Sequence, residues 1–456
     1  MRLRPFVRFE PFLVGVALAT RLSVVLWLSD TVPYSDFALY HVAGTQIALD
    51  PGFLFDRSVV RTFLPLNWWP PGYPLFLGLV YTLQGPDHRA AIFVQVLLGT
   101  LVCWIVYRIG ARAAGERAGR VAGLLVALNP SYVFLTNQLA SENLFVFWLA
   151  LGLFLTGRKT REARSYVWPG VVLALGALTR AAGLVVPIVA ASWMRARMPG
   201  RREWLLGVAW LLGGAAVTLA PWALRNAAVA GHPALVCFGG GLNFYFGHNE
   251  TKIGYREPSK TPLASQRELA GMDREGYRLG FQHIAEHPLG TLVESARKIV
   301  DLYAFPDYAL HANSGILVPD FHARPELREE AEALLAKQRV RDRWLHGLFM
   351  HLARAHSFLL LLGALAAAVL FRRRLPDELR LSVWLVLAWT AAHVVFWAQP
   401  RFRFPVEIPL ALLAGYTAAR LWGRSARKHR GVRAHDDPNG GEEGLSRPGT
   451  TVRVLG

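Results

Sequence analysis

Apolar runs of roughly 16–25 residues, each long enough to cross a bilayer, recur along this chain and are separated by short arginine-rich segments. That alternation leaves few folds open. In lipid the backbone must satisfy its own hydrogen bonds, so runs of this length are helices, and the chain reads as an all-α polytopic membrane protein. Of its 456 residues 53% are hydrophobic, and the one long stretch that reads as solvated is 225–345, with 15 basic and 15 acidic residues. The net charge of +18 would suit a nucleic acid, but the arginines lie between apolar runs, where they orient spans, so no nucleic-acid partner is implied. Cys103 sits inside an apolar run and Cys237 in a loop, which supports neither a disulfide framework nor a thiolate metal site.

Charge threads the chain through the membrane. Arg2, Arg4 and Arg8 place the N-terminus inside. Arg21 interrupts the first run and no small-residue cleavage site follows, so this run is a retained span rather than a signal peptide. The cluster Arg108, Arg112, Arg117 and Arg120 is also inside, which allows one crossing at about 89–107 and makes Pro70-Pro71-Gly72-Tyr73-Pro74 the start of an external or re-entrant segment over 71–84. The stretch 121–136 exits, and a return beginning at Glu142 leads to Arg158. The run 167–193 lies between two inside clusters, so it is two short helices hinged at Thr179-Arg180-Ala181, with Arg180 at the outer face. After an exit over 204–223 and the external segment, 346–371 returns, 381–398 exits and 405–422 returns. The expectation is about ten transmembrane crossings with both termini cytoplasmic, and a disordered tail over 424–456.

One outer surface then gathers the charged residues. Asp36, after the first span, is a candidate general base or a helix-capping carboxylate. Glu142 opens a span, where it serves either the helix dipole or function. Arg180 is a charge within a membrane-length run, which implies a partner or an anionic ligand. Arg401 and Arg403, in Gln399-Pro400-Arg401-Phe402-Arg403-Phe404-Pro405, offer two guanidinium groups for phosphate or for lipid head groups. Trp68 and Trp69 suit an interface belt or a sugar face. No Walker loop, Gly-x-Gly-x-x-Gly turn, His-Glu-x-x-His or external Asp-x-Asp occurs, so nucleotide-sugar and metalloprotease chemistry have no support.

In order and spacing these pieces resemble the GT-C membrane glycosyltransferases, the bacterial relatives of protein O-mannosyltransferases and lipid A aminoarabinose transferases, over roughly 10–420. The likeness is carried by Ser35-Asp36 followed by Tyr40 and Ala43, by Pro70-Pro71-Gly72-Tyr73-Pro74, and by Asn129-Pro130 leading to Ser141-Glu142. It continues through Leu178-Thr179-Arg180, Pro221-Trp222 with Arg225-Asn226, Gly247-His248-Asn249 and Arg401-Phe402-Arg403.

The resemblance implies external juxtamembrane helices and a catalytic first external loop (30–88) within an N-terminal module (1–224). The external segment (225–345) and the C-terminal spans (346–423) follow. It implies that Asp36 is the base and that Glu142 is the second acidic site residue. Arg180, Arg401 and Arg403 then hold the donor phosphate, and Tyr40, Trp69, Tyr73, Arg225, Asn226, His248 and Asn249 contact substrates. Where aminoarabinose transferases carry Glu-Lys before the double proline, this chain has Trp68-Trp69, which moves phosphate binding to the arginines. Some members use a divalent metal, which the resemblance allows here although no compact ligand set predicts one.

The expected activity is transfer of a sugar from a polyprenyl-phosphate donor to a glycan, lipid or protein hydroxyl at the outer face of the cytoplasmic membrane, with inversion. The alternative is a lipid-linked sugar flippase or another transporter.

Overall fold

The computed structural model describes residues 9–28, 35–55, 68–158, 162–198, 200–249, 266–303 and 343–435. Arg2, Arg4 and Arg8, most of 304–345 and the end of the tail, 436–456, lie outside the described residues. The described chain is helical, with no strand. In order the helices are α1 (Phe9–Trp27), α2 (Ser35–Leu49), α3 (Gly72–Gln84), α4 (His88–Ala114), α5 (Glu116–Ala127), α6 (Pro130–Leu135), α7 (Ser141–Thr156), α8 (Val167–Thr179) and α9 (Val185–Arg197). They continue as α10 (Arg201–Ala230), α11 (Gly240–Gly247), α12 (Gln266–Glu286), α13 (Pro288–Tyr303), α14 (Arg343–Leu370), α15 (Asp377–Val395) and α16 (Glu407–His435). Among the described residues five helices are long and apolar enough to span a membrane: α1, α4, α10, α14 (from Gly347) and α15.

Small residues let the helices meet. A Cβ on Gly119 would fall 2.5 Å from the Tyr107 carbonyl, and one on Gly415 would fall 2.6 Å from the Ala118 carbonyl. So α5 lies backbone to backbone against α4 and α16, the close approach that glycine permits where apolar helices have no water to expel. The α8–α10 contact is tighter still: a Cβ on Gly170 would sit 2.0 Å from the Leu211 carbonyl.

Turn chemistry decides where helices stop. Gly115 takes φ +91° between α4 and α5, and Gly231 takes φ +76° after α10, both left-handed values that suit glycine. Asn129 caps α6, its Oδ1 accepting from the Ser131 amide at 2.9 Å with Pro130 in the first turn. The expected single exit over 121–136 is therefore broken into α5 and α6. The break at Arg180 occurs between α8 and α9, as the charge threading requires. Each has 13 residues, about 20 Å of helix and less than one crossing.

Two boundaries differ from the reading of the sequence. Helix α10 runs to Ala230 because nothing stops it before Gly231, so Arg225 and Asn226 sit on its last turns instead of opening the external segment. Helix α16 continues past residue 424 to His435.

Candidate active site

Four charged residues from four parts of the chain meet at one end of the bundle. Asp36 lies in the first turn of α2, Glu142 in the first turn of α7, Arg180 in the α8–α9 break, and Arg401 in the helical turn Pro400–Val406. Arg401 Nη1 donates to Asp36 Oδ2 at 3.3 Å, while its Nη2 donates to Glu142 Oε2 at 3.1 Å and its Nε to Glu142 Oε1. Arg180 Nη1 reaches Glu142 Oε1 at 2.8 Å and the Ser141 hydroxyl at 3.2 Å. One guanidinium lies over Phe37 at 5.3 Å (Arg401), the other over Phe402 at 5.4 Å (Arg180).

The two carboxylates differ in what they can do. The Glu142 side chain is fully buried and carries both arginines, so it fixes the guanidinium planes. The Asp36 side chain is 33% exposed and has one arginine contact, which leaves it open to a ligand. Tyr40, one turn on from Asp36, is buried against Trp69 and Tyr73 and pairs with the Ser141 hydroxyl. Burial, with the nearby Asp36 charge, holds its phenol well above the usual tyrosine range, so it stays protonated.

Contacts behind these groups hold them in place. Tyr73 donates to Gln95 Oε1 at 2.6 Å, and Gln95 Nε2 holds the carbonyls of Thr136 and Gln138, at 3.0 and 2.9 Å, just before Ser141-Glu142. The 400–406 turn is pinned by Trp389 Nε1 on the Phe402 carbonyl (2.8 Å) and by the Tyr132 hydroxyl on that of Phe404. Arg21 is 1% exposed and donates to the Ala17 carbonyl at 3.2 Å. It lines a cavity of about 20 Å³ behind Glu142, with Gln95, Tyr132 and Thr136.

Arg403, two residues from Arg401, points elsewhere. It is 1% exposed, pairs with Glu407 at 3.2 Å, and donates to Ser357 Oγ (2.9 Å) and the Tyr303 carbonyl (3.0 Å). Its contacts are with Glu407, Ser357 and the Tyr303 carbonyl rather than with Asp36 or Glu142, so the structure does not bring it into the cluster with Arg401 and Arg180. Glu407 was not among the sequence candidates, although its i, i+4 spacing from Arg403 was a readable signal. Gln95 had no signal, since its contacts are all long-range.

The other expected substrate residues contact other parts of the fold. Arg225 Nε donates to the Leu54 carbonyl at 2.5 Å and its guanidinium covers Trp222 at 4.7 Å, while Asn226 Nδ2 donates to the Ala234 carbonyl at 2.9 Å. His248 Nε2 contacts the Val395 carbonyl at 2.9 Å, and Asn249 Nδ2 donates to the Tyr245 carbonyl at the end of α11. Among the described residues no group of three or more His, Cys, Asp and Glu converges as a metal site. Asp36 and Glu142 are each already on a guanidinium, a donor set that does not fit a hard cation.

Residues 69–224 match the sequence profile of the dolichyl-phosphate-mannose-protein mannosyltransferase family. No curated protein sequence matches the chain. Among solved structures, the apo oligosaccharyltransferase of Archaeoglobus fulgidus overlaps at TM-score 0.53 and 15% identity, covering 97% of this chain and 53% of its own. The archaeal oligosaccharyltransferase AglB from the same organism, in complex with an inhibitory peptide and a dolichol-phosphate, gives 0.50 and 15%, with coverages of 96% and 53%. This chain thus spans about half the length of those enzymes. ArnT from Cupriavidus metallidurans overlaps at TM-score 0.40 and 14% identity, covering 90% of this chain and 77% of its own. The chain is thus similar in fold to the archaeal oligosaccharyltransferase, and over residues 69–224 it is similar in sequence to the dolichyl-phosphate-mannose-protein mannosyltransferases.

Proposed function

We propose that the chain is a glycosyltransferase that moves a sugar from a polyprenyl-phosphate donor to an acceptor hydroxyl, with Asp36 as the base. The observation that carries this reading is the asymmetry of the carboxylates: Asp36 is accessible and oriented by Arg401, while Glu142 is sealed and holds both guanidiniums. The matched mannosyltransferase segment and the dolichol-phosphate bound to the archaeal structure of this fold support a lipid-phosphate donor.

The acceptor hydroxyl gives its proton to Asp36 as its oxygen attacks the anomeric carbon. The bond from that carbon to the phosphate oxygen breaks, and the configuration inverts. The electron pair leaves on the lipid phosphate, where Arg180 and Arg401 offset the growing charge. Glu142 is a positioning residue for those arginines, and Arg403 holds the turn that carries Arg401. Trp69, backed by the buried rings of Tyr40 and Tyr73, offers an aromatic face near Asp36 that suits a sugar. The site faces the outer side of the cytoplasmic membrane, by the arginine distribution.

Asp36→Asn in reconstituted membranes supplied with a radiolabelled lipid-linked sugar tests the assignment. Loss of transfer by a variant with unchanged thermal unfolding is expected. Undiminished transfer would remove Asp36 as the base, and translocation of the lipid-linked sugar by the native protein without any transfer would favour a flippase.

A further inference from the structure

Helix α13 is built inside out. Leu289, Leu292, Val293, Ile299 and Val300 are 44–77% exposed, and with exposed Ala296 they fall at i, i+3, i+4, i+7, i+10 and i+11, a continuous apolar stripe. Two charged side chains point the other way. Lys298 is buried with its Nζ on the Val394 carbonyl at 3.0 Å, and Glu294 faces His283 at 3.7 Å under α12. A helix in water arranges these faces in the opposite sense.

The contacts with α15 fix the depth of the C-terminal end of α13. Lys298 meets the carbonyl of Val394 near the end of that span, and the Tyr303 hydroxyl meets Thr390 Oγ1 at 2.7 Å. Those two contacts are four residues apart on α15, about 6 Å along its axis. The C-terminal end of α13 therefore runs alongside a membrane-length helix, which itself exposes Val395 and Leu387. Arg297 and Asp301, exposed and four residues apart, edge the stripe, where the long arginine stem can reach head groups.

We propose that the Leu289–Val300 stripe lies in the hydrocarbon edge of the leaflet on the Asp36 side, with membrane lipid as its occupant. The carbonyl of Tyr303, at the end of α13, accepts from Arg403, so a lipid-embedded helix also braces the turn that positions Arg401.

The test is nitroxide labelling at Leu289→Cys, Leu292→Cys or Val300→Cys, with Cys103 and Cys237 replaced, in the full chain in lipid nanodiscs. Power saturation is read with oxygen and with a water-soluble nickel chelate, and Arg297→Cys serves as the rim reference. Accessibility to oxygen severalfold above that to nickel at all three positions, and lower at 297, is expected. Nickel exceeding oxygen would mean that the stripe is in water. Low accessibility to both, with an immobilised label, would mean that another part of the chain or a second copy covers it. Either result overturns the proposal. The labelled positions are exposed, so the substitutions leave the packing of α13 intact, and thermal unfolding of each labelled protein checks this.

Discussion

Arg401 and Arg403 lie in one short turn and have the same partner type, yet they do different work. Arg401 bridges a sealed glutamate and a half-open aspartate, and Arg403 is shut in with Glu407, Ser357 and the Tyr303 carbonyl. The contrast teaches that a buried arginine–carboxylate pair does not by itself mark a site. What marks it is an unevenly shared guanidinium, with one acceptor kept out of solvent and another left within reach of a ligand.

Four measurements sharpen or break that contrast. The largest effect is expected at Asp36. Asp36→Asn lowers kcat for glycosyl transfer by about 10²- to 10⁴-fold, the usual contribution of a general base, with little change in thermal stability. Next comes Arg403→Leu, which leaves Glu407 buried without its cation. A loss of about 3–5 kcal/mol in unfolding free energy is expected, and a transfer defect that follows the loss of folded protein. If Arg403→Leu instead keeps its fold and raises KM for the lipid donor, the division between the two arginines is wrong.

Arg180→Lys keeps the charge but loses the planar fork, and lysine reaches Glu142 and a phosphate less well together. Expected is a rise in KM for the lipid-linked donor of roughly 10-fold or more, from a lost charged hydrogen bond of about 1.5–3 kcal/mol, with kcat less affected. Steady-state kinetics at varied donor concentration reads the split.

The smallest effect lies away from the site. Asp273 caps α11 through the Gly241 amide at 2.7 Å, and burial pushes its carboxyl up to about 6 from an ordinary 3.8. The folded state therefore holds that proton more tightly than the unfolded chain does. Its contribution to stability is fully present below pH 3.8, is lost as pH rises through about 6, and is flat above. Asp273→Asn should remove this portion of the pH dependence of thermal unfolding and leave transfer kinetics at neutral pH unchanged.

The fold was legible to the degree that its signals are local. Hydropathy and arginine clusters identified the long apolar helices, and the charge inside 167–193 located the break at Arg180. Boundaries failed where a cap or a glycine, rather than hydropathy, decides: Asn129-Pro130 split one expected span, and α10 ran on to Gly231. At the site, Asp36, Glu142, Arg180 and Arg401 were all readable as costly charges beside apolar runs. The sorting among them was not. Arg403 looked equivalent to Arg401 in sequence, and Gln95 looked like any polar residue in a span.

By itself the sequence determined a helical membrane protein with its charges gathered at helix ends, because the cost of burying polar groups in lipid acts on each segment separately. Only the tertiary structure decided which charges meet. Arg401 reaches Asp36 across 365 residues and Glu142 across 259, separations at which no local pattern specifies a partner. Packing at small residues and the pinned 400–406 turn select one arrangement, and that arrangement leaves Asp36 open while sealing Glu142.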